Sequence, residues 1–157
     1  MDVQRIDQGN RSRIDAFIVD HWFTREMVVH GECFDLGKAE GFYVEKDGAV
    51  TGLLTYRVFD GTMEILSLDS IHENQGIGTS LLNMAIFEAK ALKCCRITVI
   101  TTNDNLHALR FYQKRGFDIV ALHRNALDLA RKLKPEIPNK GIDGISLRHE
   151  FELELLV

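Results

Sequence analysis

Cysteine is scarce: three in 157 residues, Cys33, Cys94 and Cys95. An odd count builds no disulfide framework, and two adjacent thiols lack metal-ligand spacing, so no metal site is expected. Buried free thiols in a reducing, cytoplasmic setting are the expectation. Long hydrophobic runs are missing too. None approaches the ~20 residues that cross a bilayer, so no membrane is expected as a partner. Met1-Asp2-Val3-Gln4-Arg5 lacks the apolar core of a signal peptide. An excess of positive charge is also absent. The formal net charge of -4 argues against nucleic acid or an anionic bilayer as a partner. There is no repeat or low-complexity tract. The two prolines, Pro135 and Pro138, fall together late in the chain and stop a helix there.

What remains is an ordinary globular composition, 45% hydrophobic and 27% charged. The length suits one domain over residues 1–157. Val3 to Ile6 reads as a first strand. Asn10 or Ser12 can cap a helix whose apolar face is Ile14, Phe17, Ile18 and Trp22. Thr24 to Phe34 suggests a second short helix or a lid, with Gly31, Gly37 and Gly41 marking loop. Gly41–Lys46, Ala49–Phe59 and Thr62–Ser70 then read as strands, joined by the hairpin signals Asp47-Gly48 and Asp60-Gly61. Thr79–Lys93 is a helix with an apolar stripe of Leu81, Leu82, Ala85, Ile86, Ala89 and Leu92. The strand Arg96–Thr101 follows, and the strand–helix–strand order implies a parallel pair. Asn103, Asp104 or Asn105 can cap the next helix, which Gly116 ends. Phe117–Leu122 is a strand and His123–Lys134 a helix. Ile145 to Val157 alternates strictly and reads as one long final strand. The fold class is mixed α+β, a mostly antiparallel central sheet flanked by helices.

The chain is organised around Leu66 to Leu82, a strand, a turn carrying Gly76 and Gly78, and a helix. Such a turn aims backbone N–H groups and the positive helix end at one point, which suits an anion. No Lys-Ser/Thr follows Gly78, so this is not the loop of a nucleotide triphosphatase. A third glycine is absent, so it is not a dinucleotide fingerprint.

One strand later stands Asn105-Leu106-His107-Ala108-Leu109-Arg110-Phe111-Tyr112-Gln113-Lys114-Arg115-Gly116-Phe117. Together the two motifs resemble the GNAT superfamily of acyl-CoA-dependent N-acetyltransferases. That superfamily pairs a Gln/Arg-x-x-Gly-x-Gly/Ala turn with an Asn-x-x-Ala-x-x-Phe/Leu-Tyr-x-x-x-Gly-Phe helix. The second motif matches throughout, and the first at Gly76 and Gly78. Thr102 to Asn105 and Arg148 to Leu153 further resemble a group of small bacterial members of unassigned substrate.

The resemblance implies a splayed parallel strand pair that holds acetyl-CoA as cosubstrate. Leu68 and Ser70 would bond the pantetheine arm. Gln75, Gly76, Ile77, Gly78, Thr79 and Ser80 would cradle the pyrophosphate, and Asn105 would bond the arm or cap its helix. The Leu68 N–H would polarise the thioester. Tyr112 takes the position of the acid that protonates the leaving thiolate, for which a phenol near pKa ~10 is suited. Glu64, at the start of the same strand, takes the position of a base and by alternation shares a face with Leu66 and Leu68. Glu26, His30, Glu32 and His72 are rival bases. The acceptor would be the primary amine of a small molecule or peptide. Dimers are common in this family, and the long last strand would exchange or pair in a homodimer. The alternative is a CoA-binding sensor that has lost turnover. What favours it is Glu73, a carboxylate where the family has Gln or Arg.

Overall fold

Both Asp-Gly pairs turn the chain as their chemistry demands. The φ angles are 52° and 80° at Asp47 and Gly48, and 46° and 70° at Asp60 and Gly61. Two successive positive values match the right-handed twist of paired strands. They join β4 (Glu40–Lys46), β5 (Ala49–Phe59) and β6 (Thr62–Ser70) into the expected meander. The structure, a computed structural model, describes residues 1–157. Its other elements are β1 (Val3–Arg5), α1 (Arg11–Trp22), β2 (Glu26–Val29), β3 (Glu32–Asp35), α2 (Ile77–Ala91), β7 (Arg96–Thr102), α3 (Leu106–Lys114), β8 (Asp118–His123), α4 (Ala126–Leu133) and β9 (Glu150–Leu156). Single 3-10 turns fall at Leu36–Lys38 and Ile142–Gly144.

Seven strands form one sheet in the order β1-β4-β5-β6-β7-β9-β8. It is mostly antiparallel, with β6 and β7 the one parallel pair, and four helices flank it. The last strand lies between β7 and β8, so it presents no open edge for pairing in a homodimer. Strands β2 and β3 form a separate hairpin. This corrects the expected helix or lid over Thr24–Phe34. The hairpin turns at His30 (φ 49°) and Gly31 (φ 77°). Histidine before glycine adopts the same paired left-handed geometry as Asp-Gly but signals it weakly in sequence.

The chain divides into two compact units. Met1–Met27, Asp35–Ile97 and Val157 make the first. In it α1 buries Ile14, Phe17 and Ile18, as its spacing predicts. Asn10 precedes the helix, but its side chain caps no helical N–H. Instead its Oδ1 accepts from the Asp7 N–H at 2.8 Å, and its Nδ2 donates to the Arg5 carbonyl at 3.1 Å. Helix α2 buries Leu81, Leu82, Ala85 and Ala89. It lies so close to β5 that a Cβ on Gly52 would stand 2.3 Å from Ile77 Cγ2.

Val28–Phe34 and Thr98–Leu156 make the second unit. The long final strand is only partly realised: Ile145 to His149 lie outside β9. Side chains hold them instead. Asn103 donates through Nδ2 to the Ser146 carbonyl at 2.8 Å, and its Oδ1 accepts from the Arg148 and His149 N–H groups, each at 2.9 Å. Buried Asp104 accepts the Thr102 hydroxyl and, at 2.8 Å, the Ile142 N–H. Arg131 donates to the carbonyls of Ile137, Pro138 and Leu147. Alternation alone does not separate a ladder from an extended segment tied down this way. Helix α4 also starts later than expected, because His123 continues β8 and Asn125 turns at φ 58°. All three cysteines are free, but only Cys94 is buried; Cys33 and Cys95 are exposed, against expectation. Both stand next to turns, where a small side chain is not forced inward. No helix is long and apolar enough to cross a membrane.

Candidate active site

In the first unit, β6 ends firmly before the glycine turn. The Ile71 N–H donates to the Thr51 carbonyl at 2.9 Å, and the Ser70 hydroxyl donates to the His72 carbonyl at 2.9 Å. Asn74 then turns at φ 61° and Gly76 at φ 77°. Asparagine tolerates that region better than most residues. A Cβ on Gly76 would meet nothing within 4 Å, so glycine serves the backbone angle there and the space above the turn is open. Gly76 caps α2 with no side chain bonded to the helix end, and the first turn holds no acidic residue. The first intrahelical bond runs from the Ser80 N–H to the Gly76 carbonyl at 3.0 Å. The N–H groups of Ile77 and Gly78 precede it and sit at the positive pole of a 15-residue helix. Thr79 and Ser80 complete this turn, half-buried, while Glu73 and Gln75 are exposed.

Leu68 pairs with Leu54 and Ser70 with Gly52. Between Thr55 and Tyr56 the register shifts, and Leu66 is the extra residue on β6. One extra residue reverses the faces beyond it. Glu64 therefore does not share a face with Leu68 as alternation suggests; it stands opposite Arg57. It is 2% exposed, with Arg57 Nε and Nη2 each 2.8 Å from its Oε1. Glu26 and Glu32 lie on the separate hairpin with His30 at its turn, and His72 is exposed beside the glycine turn.

Sequence reasoning missed Asp69. Its Oδ2 accepts the Trp22 indole N–H at 3.1 Å. Burial pushes its carboxyl above the ordinary value, while the indole hydrogen bond and the charge of His21 pull it back. The two residues stand 47 apart in the chain, and no local pattern announces the contact.

In the second unit, Asn105 caps α3: its Oδ1 accepts the Ala108 N–H at 3.0 Å. Tyr112 sits in the last turn of that helix, buried, edge-on to Phe111 and Phe117 with centroids 5.2 Å away in both cases. The helix stops just beyond it. The Gly116 N–H donates to the Gln113 carbonyl at 3.1 Å and the Phe117 N–H to the Tyr112 carbonyl at 3.1 Å, with Gly116 at φ 92°. This is the paired bonding of a Schellman end, and it fixes where the Tyr112 ring starts. Arg115 stacks its guanidinium 3.7 Å from the Phe111 ring centroid. No group of three or more His, Cys, Asp or Glu is arranged to hold a metal ion.

A mixed sheet with one parallel pair, followed at β6 by an uncapped, glycine-led helix, is the architecture of the GNAT acetyltransferases. The chain belongs to that family: the model described as the acetyltransferase (GNAT) family matches residues 7–117. Among relatives, it is 45% identical over 136 residues to the Bacillus subtilis (strain 168) protein YdhI, covering 86% of this chain and 85% of that one. Solved structures share the fold. A GNAT family acetyltransferase from Elizabethkingia anophelis with acetyl-CoA bound superposes with a TM-score of 0.73 at 20% identity, covering 99% of this chain and 97% of that one. A Bacillus subtilis acetyltransferase in complex with CoA gives 0.70 at 22% identity, with the same coverage.

Proposed function

We propose that residues 1–157 act as one cytoplasmic acetyltransferase domain. It moves an acetyl group from acetyl-CoA to the primary amine of a small molecule or peptide, by direct attack in a ternary complex. The observation that carries this reading is the start of α2. Left-handed backbone at Asn74 and Gly76, no capping side chain and open space above the turn leave an anion site at the pole of a helix.

That site fits a pyrophosphate. The backbone of Gly76, Ile77 and Gly78 binds it, with Gln75, Thr79 and Ser80 at the rim. Leu68 and Ser70 bond the pantetheine arm through their backbones, and the Asn105 amide donates to the same arm while its oxygen caps α3. Acetyl-CoA supplies an acyl thioester already activated for attack, so holding the two reactants in line provides much of the rate. The Leu68 N–H draws charge onto the thioester oxygen. Tyr112 gives a proton to the departing sulfur. Glu64 enters as half of an ion pair that fixes β6 to β5, because its carboxylate is already committed to Arg57.

Tyr112→Phe tests the reading. It keeps the two aromatic contacts and removes the hydroxyl, so kcat is expected to fall about a hundredfold, with acetyl-CoA affinity unchanged by calorimetry. An unaltered kcat would remove the phenol from the mechanism.

Exposed Glu73 favours a second reading, a CoA-binding sensor, because a carboxylate beside the turn repels a pyrophosphate. Acetyl-CoA binding without thiol release against a panel of amines would select it. In either reading Glu73→Arg should tighten acetyl-CoA binding roughly fivefold at low salt, and less as salt screens the added charge. Equal or weaker affinity would mean that Glu73 does not face the phosphates.

A further inference from the structure

Asp69 follows Leu68, and its partner across the ladder is Leu53, next to the Ser70–Gly52 pair. Gly52 faces Ile77 and Leu81 of α2, so Asp69 lies on the other face of the sheet. The end of α1 reaches it there. Trp22 donates its indole N–H to Asp69 Oδ2 and leaves 38% of its surface exposed. His21 is fixed one residue earlier. Its ring stacks on Phe17 with centroids 4.1 Å apart, and its Nδ1 lies 3.0 Å from the Phe17 carbonyl. That carbonyl accepts only, so Nδ1 carries a proton.

No lysine or arginine pairs with Asp69. A half-desolvated carboxylate whose charged neighbour, His21, is turned to the Phe17 carbonyl instead is costly for a fold to keep. The ligand that relieves the cost is a cation, and an indole face beside the carboxylate suits an ammonium in particular. A second oddity lies one residue on. Phe23 is 90% exposed and holds φ 62°, with its N–H bonded to the Val19 carbonyl at 2.8 Å. Left-handed backbone is an outlier for a bulky aromatic, and outliers of this kind cluster at functional sites. The helix end therefore presents a carboxylate, an indole and an uncovered phenyl ring.

We propose that Asp69, held by Trp22, anchors the acceptor: it receives a cationic primary amine bearing a flat apolar group and takes the proton that the ammonium loses before attack. The inference rests on the acetyltransferase reading above. The N–H bond breaks toward the Asp69 oxygen, and the freed nitrogen pair forms the bond to the thioester carbon as the C–S bond breaks. Sulfur leaves with that electron pair and gains one proton. Nitrogen sheds two in all, so one balances the thiol and the other reaches water through Asp69.

A carboxyl raised by burial holds its proton to higher pH, so kcat/KM should fall on the acid side of that raised value. From α1, His21 is the charged group that acts on it; across β5, Leu53 is apolar. The probe is 2-phenylethylamine, with putrescine as a cation that has no flat group. Asp69→Asn keeps an oxygen for the indole, so the site keeps its shape. It is expected to lower kcat/KM for 2-phenylethylamine by about a hundredfold, to abolish the acid limb and to leave acetyl-CoA affinity unchanged. Trp22→Phe is expected to raise the KM for 2-phenylethylamine about tenfold with kcat within about twofold.

Wild-type kcat/KM and pH profile in Asp69→Asn would overturn the proposal, as would a parallel loss of acetyl-CoA binding. A wild-type preference for putrescine would overturn the choice of amine. Wild-type protein that binds no acetyl-CoA, or releases no thiol with any amine, would instead defeat the acetyltransferase reading before any variant is made.

Discussion

Arg57→Met should lower the free energy of unfolding by about 1.5–3 kcal/mol, the usual worth of hydrogen bonds to a buried charged group. Glu64 is nearly inaccessible, and the guanidinium places two nitrogens 2.8 Å from one of its oxygens. Methionine fills much of the same space but offers no donor, so the buried carboxylate loses both of these contacts. Domains of this size are stable by only ~5–15 kcal/mol, so such a loss is large. Urea unfolding measures it. Adding Glu64→Leu to Arg57→Met should recover most of the stability, because an apolar pair of similar volume carries no desolvation cost. A single variant within about 0.5 kcal/mol of the parent would show that Arg57 is not what holds Glu64.

Gly52→Val carries the second large effect, and it reaches two properties at once. The new Cβ would stand 2.3 Å from Ile77 Cγ2 and 3.1 Å from Leu81 Cδ1, both on buried side chains. Overpacking of this kind costs about 1–3 kcal/mol. Relief comes by lifting the first turn of α2 off β5. Those same residues carry the N–H groups assigned to the pyrophosphate, so acetyl-CoA affinity should fall at least about tenfold, since binding geometry tolerates little displacement. Calorimetry beside urea unfolding separates the effects. Lost stability with intact affinity would mean that the turn keeps its shape independently of the sheet beneath it.

Local chemistry made much of this molecule readable from its residues. Asp47-Gly48 and Asp60-Gly61 fixed β4, β5 and β6 almost to the residue. Gly116 marked the end of α3, and Leu81, Leu82, Ala85 and Ala89 of the α2 stripe faced inward as spaced, while Leu92, past the helix end, is exposed. What escaped was set by partners distant in sequence. The extra Leu66 in β6 becomes visible only against β5, and it decides which face Glu64 occupies. The Trp22–Asp69 contact joins a helix end to a strand end. His30-Gly31 turned the expected short helix or lid into a hairpin because histidine is a rare first residue for such a turn.

The segment between α4 and β9 has a consequence in time rather than in space. Its backbone is tied to Asn103, 43 to 46 positions away, and its main apolar contribution is Leu147, with Ile137, packed on Leu127 and Ala130. Loops that long close slowly and gain nothing until the last bond forms. The β4–β6 meander pairs neighbours through two-residue turns and needs no such wait. Folding should therefore begin with the meander and finish with this segment. In the native protein the same segment is the natural place for brief local opening, while the strands stay protected.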